Sequence, residues 1–173
     1  MLLHLSVIFS VAGSCFVLPE LTAKIRVGLD ELGIVRQQFE PLISISPDAT
    51  VDVIQTSAAC AMLHSFYTEI EKILKLIARD WDGHLPSSES WHRDLLVQMA
   101  HKTADRPPVL SVSLLEVLKE FLAFRHLFRG ASIALMRWDK LQPLVARVED
   151  TYEHAKSEFE AFATFVEQQS GRP

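Results

Sequence analysis

Three side chains that could do chemistry stand close together in an otherwise apolar segment: Arg125, His126 and Arg129. A guanidinium is a permanent cation that binds anions, and an imidazole gains or loses a proton near neutral pH. Residues three and four apart share a helix face, so Arg125, Arg129 and Ser132 are predicted to line one edge of an α-helix. His126 and Gly130 fall on the neighbouring edge. The segment therefore predicts a cationic rim, where any chemistry of the protein is expected.

A long amphipathic helix must position these side chains. Its apolar residues recur at steps of three and four, the spacing of one buried face. They are Leu114, Val117, Phe121, Phe124, Phe128, Ala131, Leu135 and Trp138. This stripe predicts a central helix over residues 112–136, capped by Ser111 or Ser113. Gly130 is expected to be a weak point within it, because glycine in a helix costs about 1 kcal/mol relative to alanine.

Three more stripes with the same spacing predict three further long helices. The first begins after Pro19, the second lies upstream of a turn at residues 80–88, and the last begins at Asp139. Charged residues opposite the second stripe, including Glu71, are interpreted as solvated surface. Residues 41–50 are predicted as a loop and residues 91–99 as a short helix. The stripes are Leu21, Ile25, Leu29, Leu32, Val35 and Phe39; Ala59, Met62, Phe66, Ile70, Ile73, Ile77 and Trp81; and Leu141, Leu144, Val148, Tyr152, Ala155, Phe159, Phe162 and Val166.

These helices define the predicted fold class and domain organisation. Four long amphipathic helices, one short helix and no persuasive strand pattern predict an all-α fold, an antiparallel four-helix bundle with one additional short helix. The predicted helical domain covers residues 19–168, with an apolar segment at 1–18 and a polar tail at 169–173. At 173 residues the chain suits a single domain with a substantial core.

Composition narrows the functional classes. The net charge of −5 argues against broad adhesion to nucleic acid but leaves room for a local basic site. The two cysteines, Cys15 and Cys60, show neither metal-ligand spacing nor a disulfide framework, so a reducing, cytoplasmic environment is expected. His64, His92 and His101 form no ligand pattern either. We therefore expect no metal and no cofactor.

Residues 1–18 form an apolar run that resembles the hydrophobic part of a signal peptide. No lysine or arginine precedes the run, and a membrane-spanning helix needs about 20 apolar residues. A stable membrane anchor is therefore not expected. Three interpretations remain open: an export signal, an apolar segment covering the bundle, or a start codon placed too far upstream.

Four segments together resemble one protein family. Residues 124–129, FRHLFR, followed by residues 138–145, WDKLQPLV, look like the motif helix and the next helix of HepT-like proteins. Residues 63–71 and 82–96 also look like that group. HepT-like proteins belong to the HEPN superfamily of small all-helical ribonucleases. The resemblance covers about residues 20 to 167 and implies a helical bundle that forms a homodimer.

The resemblance implies metal-independent RNA cleavage, in which the ribose 2′-hydroxyl attacks the adjacent phosphate. The family motif is an arginine, then four to six residues, then a histidine, often with a tyrosine two residues beyond. Arg125 occupies the arginine position and would bind phosphate with Arg129, but the histidine position is Gly130 and the tyrosine position is Ser132. His126 is the remaining candidate proton carrier, although it points about 100° around the helix from Arg125. We therefore expect the chain to cut RNA weakly or not at all.

Three functions from different classes follow from these patterns. The first is a ribonuclease toxin of a toxin–antitoxin pair, whose antitoxin would be an MNT-type nucleotidyltransferase. The second is a relative that binds this nucleotidyltransferase or RNA without cutting, and the third is a helical interaction module unrelated to RNA. In the third case Arg125, His126 and Arg129 are only the solvated edge of an amphipathic helix.

Overall fold

The computed structural model describes residues 14–46, 49–130 and 135–170. No β-strand occurs in these ranges, which confirms the predicted all-α fold. Residues 1–13 of the apolar segment lie outside them, so the predicted domain boundaries stay predictions. None of the helices in the described part of the chain is long and apolar enough to cross a bilayer. The helices are α1 (Ser14–Gln38), α2 (Glu40–Ile43), α3 (Val53–Asp80), α4 (Trp91–Ala100), α5 (Val112–Gly130), α6 (Trp138–Val145) and α7 (Val148–Ser170).

Four long helices, α1, α3, α5 and α7, form the bundle, and α3 connects its two halves. On one side α1 lies along both α3 and α7, and on the other α5 packs against α3 and α4. Gly28 allows a close approach of α1 to α3, because a Cβ there would lie 2.7 Å from Ile73 Cγ1. The core contains the predicted stripe of α3: Ala59, Met62, Phe66, Ile70, Ile73 and Ile77.

A capping box fixes the start of α3. The Asp52 carboxylate accepts a hydrogen bond from the Gln55 backbone N–H at 2.7 Å, and the Gln55 side chain accepts one from the Asp52 N–H at 3.1 Å. Two N–H groups that would otherwise lack helix partners are thereby satisfied. The capping box therefore defines the residue at which α3 begins.

The predicted central helix is too long. α5 includes Gly130, but Leu135 lies outside it and is 77% exposed, and Trp138 begins α6. The backbone at Arg137 is extended, with φ −118° and ψ 134°, so one helix cannot continue through it. Three-four spacing depends only on sequence positions, and it continued by chance past the end of α5 and the extended residue Arg137.

The predicted last helix is two helices. α6 and α7 are separated by a turn at Ala146 and Arg147. Pro143, inside α6, has no N–H to donate to the carbonyl of Asp139 and so weakens the helix there. The two helices also pack on different partners, since α6 contacts α3 whereas α7 lies along α1.

Two smaller differences occur in the N-terminal part. α1 begins at Ser14, so Pro19 lies inside the helix and does not mark its start. The region predicted as a loop over residues 41–50 begins with most of the one-turn helix α2, in which Pro41 occupies an early position that needs no N–H donor.

A buried ion pair joins the two connections that flank α4. The Arg106 side chain is fully buried, and its Nε and Nη2 donate to the two Asp82 carboxylate oxygens at 2.6 and 2.7 Å. Arg106 also donates to the backbone carbonyls of His101, Pro107 and Gln98. Burial alone would raise the pKa of Asp82, but hydrogen bonds from Arg106 and Gln98 hold it below its usual range. The pair fixes α4 against the end of α3.

Candidate functional site

The Arg125 guanidinium lies between α3 and α4 and contacts one residue on each. Its Nη1 donates a hydrogen bond to His92 Nε2 at 2.9 Å, and its Nη2 lies 3.6 Å from Glu71 Oε2. Only 11% of the Arg125 side chain is exposed. Glu71 on α3, His92 on α4 and Arg125 on α5 are here called the Arg125 network, and each helix of this side of the bundle supplies one member.

His92 is oriented by both of its neighbours. A guanidinium can only donate, so His92 Nε2 accepts from Arg125 and the ring proton of the neutral imidazole is on Nδ1. His92 Nδ1 donates that proton to Glu71 Oε1 at 2.5 Å. Both His92 and Glu71 are buried. The charges of Glu71 and Arg125 are therefore joined through a neutral imidazole.

The environment keeps His92 uncharged. Burial lowers the pKa of His92, and the Arg125 and His126 charges lower it further, against the opposing effect of the Glu71 carboxylate. At neutral pH the ring is therefore neutral and can act as acceptor for Arg125. The neutral ring is also the protonation state that the hydrogen bond from Arg125 to His92 Nε2 requires.

Two buried polar atoms around the network have no hydrogen-bond partner among the described residues, His64 Nδ1 and Arg125 Nε, and Tyr67 Oη has only the Glu71 carboxylate nearby. Burial and the nearby Glu71 carboxylate raise the pKa of Tyr67, so its hydroxyl stays protonated. Burial and the charges of Arg125 and Arg129 lower the pKa of His64, so its ring stays neutral. Buried donors without partners are uncommon in native proteins and call for an explanation.

A comparison with protein families decides what kind of bundle this is. A model described as HepT-like protein matches residues 58–166, which is more than half of the chain. The chain belongs to the HepT-like family. It matches no curated protein and no solved structure. The matched residues run from α3 to α7 and so contain the whole Arg125 network, while α1 lies outside them.

The residues predicted for the site of this HepT-like chain are only partly brought together. Arg125 is in the network, and His126 is exposed with its ring edge-on to the His92 ring at 5.6 Å between centroids. The 100° between Arg125 and His126 on the helix does not separate them, because both reach His92. Arg129 is exposed at the same edge. Gly130, the last residue of α5, has open space where a Cβ would stand.

Ser132 lies outside the described residues, so the tyrosine position of the motif has no structural outcome. No group of three or more metal-ligating side chains occurs in the ranges that the structure describes.

Trp91 stacks on His92 at 3.5 Å between ring centroids, and Lys75 Nζ lies 5.5 Å from the Trp91 ring. Half-buried aromatic and cationic groups thus adjoin the network. The cationic groups of this arrangement can bind an anion.

The sequence pattern did not identify Glu71 and His92. The interpretation of Glu71 as solvated surface is wrong, because it is 2% exposed. A signal was present: Leu63, Tyr67 and Leu74 form a second apolar stripe that includes position 71, so α3 is apolar on most of its circumference. A carboxylate inside such a stripe requires a buried partner. Nothing in the sequence indicated that this partner is His92.

Proposed function

We propose that this HepT-like chain is the HEPN component of a toxin–antitoxin pair. In this proposal it binds RNA phosphate through Arg125 and Arg129 and, with its present sequence, cleaves RNA weakly or not at all. The observation that carries the proposal is the position of Arg125. It is the motif arginine by resemblance, and in the fold its guanidinium is held by Glu71 and His92 with Nε unpartnered among the described residues.

Phosphate binding is supported by the groups around Arg125. Arg129 is exposed one turn further along α5, and no carboxylate pairs with it among the described residues. Guanidinium groups bind phosphate through paired N–H donors.

Weak cleavage follows from the absence of a proton carrier. Attack by a 2′-hydroxyl requires that a proton be removed, and general acid–base catalysis typically contributes about 10² to 10⁴ in rate. Gly130 has no group that can carry a proton. His126 is an exposed imidazole beside the network, but its ring contacts His92. The site thus has cationic groups that can bind phosphate but lacks the proton-transfer group of the motif position.

RNA binding tests this function. The Arg125→Ala, Arg129→Ala double variant is expected to bind a short single-stranded RNA at least tenfold more weakly, because two phosphate contacts are lost. The slope of log K against log salt concentration should fall by about 1.4, since each contact contributes roughly 0.7 for a single strand. Filter binding at several salt concentrations measures both quantities.

Arg26→Ala is the matched control. Arg26 is exposed on α1 and forms ion pairs with Glu160 and Glu167, remote from α5. Its loss should leave the affinity and the salt slope unchanged. Equal weakening by the control, or full affinity in the double variant, would contradict phosphate binding at Arg125 and Arg129.

The second half of the proposal concerns partners: a second copy of the chain and an MNT-type nucleotidyltransferase antitoxin. Apolar side chains are exposed beside the cationic edge, with Leu127 58% and Leu135 77% exposed. A groove of about 330 Å³ between α5 and α6 is lined by Phe124, Leu127, Met136 and Leu141 among others. Exposed apolar patches of this kind commonly mark protein interfaces.

A homodimer formed through the C-terminal part of α5 is expected in solution. Multi-angle light scattering should give twice the chain mass, and Leu127→Asp should shift the protein to monomer by placing a charge in the interface. Val112→Asp is the control, because Val112 is 73% exposed at the opposite end of α5. A monomer at high protein concentration, or dissociation by both variants alike, would contradict this interface.

A further inference from the structure

We propose that Glu71 and His92 are positioning residues, which hold the Arg125 guanidinium in the orientation that binds a phosphate. The inference rests on the proposed function, since it assigns to two further residues a role in the same site. It does not depend on cleavage, because it concerns binding. Neither residue belongs to the arginine–histidine–tyrosine motif.

The first step is the division of the Arg125 donors. Nη1 is occupied by His92 Nε2 at 2.9 Å. Nε has no partner in the described part of the chain, and Nη2 has only a carboxylate oxygen at 3.6 Å, outside normal hydrogen-bond range. Nε and Nη2 form one edge of a guanidinium, the edge whose two parallel N–H groups match a phosphate or carboxylate. His92 therefore holds the group at one end, and the opposite edge keeps unused donor capacity although its Nε is buried.

The second step is the reason why fixing the Arg125 side chain favours binding. A free arginine side chain has large rotamer entropy, which is lost when it binds a ligand in a single orientation. In the folded protein that entropy has already been lost, because Arg125 is 89% buried against α3 and α4. The cost of ordering the side chain is therefore met before any anion binds, which favours binding through the part of the guanidinium that stays exposed.

The third step is the role of Glu71. His92 can accept from Arg125 at Nε2 only while its proton is on Nδ1, and Glu71 Oε1 receives that proton at 2.5 Å. Glu71 thus selects the tautomer, as second-sphere carboxylates do for histidine ligands. The titratable and charged groups that face the network are Tyr67 and His64 from α3 and His126 and Arg129 from α5. None of them occupies either ring nitrogen of His92.

Two substitutions at position 92 separate positioning from packing. His92→Phe keeps a flat ring against Trp91 but removes the acceptor for Arg125, whereas the His92→Gln side chain can place a carbonyl oxygen near the former Nε2 position. We expect His92→Phe to weaken binding of a short single-stranded RNA about as much as Arg125→Ala does, with a loss of roughly 0.7 in salt slope. His92→Gln should recover part of both. Thermal unfolding of each variant shows whether the fold is retained.

The outcomes distinguish this inference from the function on which it rests. If Arg125→Ala leaves the affinity and the slope unchanged, the proposed phosphate binding fails. If Arg125→Ala weakens binding but a folded His92→Phe does not, phosphate binding stands and the positioning role is overturned. Equal losses in His92→Phe and His92→Gln would also overturn it, because then the acceptor is not what matters.

A measurement on the unmodified protein covers the case in which His92→Phe does not fold. Nitrogen-15 NMR of the histidine side chains reports which ring nitrogen carries the proton. We expect the His92 proton on Nδ1, far downfield because it is donated to a carboxylate, and retained there when RNA is added. Glu71→Gln should move that resonance upfield. A proton on Nε2 in the unmodified chain would overturn the inference.

Discussion

The Gly130→His, Ser132→Tyr double variant is expected to cleave RNA about 10² to 10⁴ times faster than the unmodified chain, the usual contribution of a placed proton carrier. Gly130 is the last residue of α5, and no atom from the rest of the described chain lies within 4 Å of an added Cβ, so the position tolerates the first atom of a side chain. The new histidine would stand on the exposed edge of α5, beyond Arg129. Single-turnover cleavage of a labelled RNA measures the gain.

Gly130→Gln with Ser132→Tyr is the matched control. Glutamine has a similar length and hydrogen-bonding capacity but cannot take up a proton near neutral pH, so it should leave cleavage at the basal rate. Expression in growing cells provides a second readout, in which only the histidine variant should slow growth. Full-rate cleavage by the unmodified chain would contradict the prediction and direct attention to His126→Ala.

The second large effect concerns stability. Asp82→Ala is expected to lower the free energy of unfolding by about 3–5 kcal/mol, the usual cost of removing one partner from a buried ion pair. The Arg106 side chain is fully buried, and Asp82 is its counter-charge at 2.6 Å. Without the carboxylate, Arg106 keeps its backbone acceptors but carries an uncompensated charge. Urea unfolding followed by circular dichroism measures the change.

Glu120→Ala is the control for this prediction. Glu120 accepts from Arg147 Nη1 at the same 2.6 Å, but both side chains are about half exposed. Solvent screens such pairs, so no measurable loss of stability is expected. If Asp82→Ala proved no more destabilising than Glu120→Ala, the claim that the buried Arg106–Asp82 pair stabilises the packing of α4 would be contradicted.

The sequence was sufficient where periodicity alone decides the structure. The stripe Ala59, Met62, Phe66 and Ile70 of α3 is buried as predicted, because burial of an apolar face determines which side of a long helix turns inward. The all-α class follows from several such stripes in one chain, whereas the HepT-like resemblance rests on four particular segments, among them residues 124–129 and 138–145. Arg125 was identified for the same reason, since it adjoins the stripe of α5.

Periodicity failed where a helix ends and where residues distant in sequence meet. Nothing in the spacing of Leu135 and Trp138 reveals that Arg137 between them is extended. The contact of Glu71 with His92 joins residues 21 positions apart on different helices, and it depends on how α4 lies against α3. Local patterns carry no information about such packing, so the supporting half of the candidate site was visible only in the fold.

The measurement that tests the central claim most directly is the effect of Arg125→Ala in the Gly130→His, Ser132→Tyr background. If phosphate is held at Arg125, the double variant should cleave RNA, and adding Arg125→Ala should return cleavage to the basal level. Both proteins should remain folded. Arg26→Ala in the same background should have no effect, because Arg26 lies on α1 with its own carboxylate partners. Cleavage that survives loss of Arg125, or a double variant that never cleaves RNA, would contradict the assignment of this network as an RNA phosphate site.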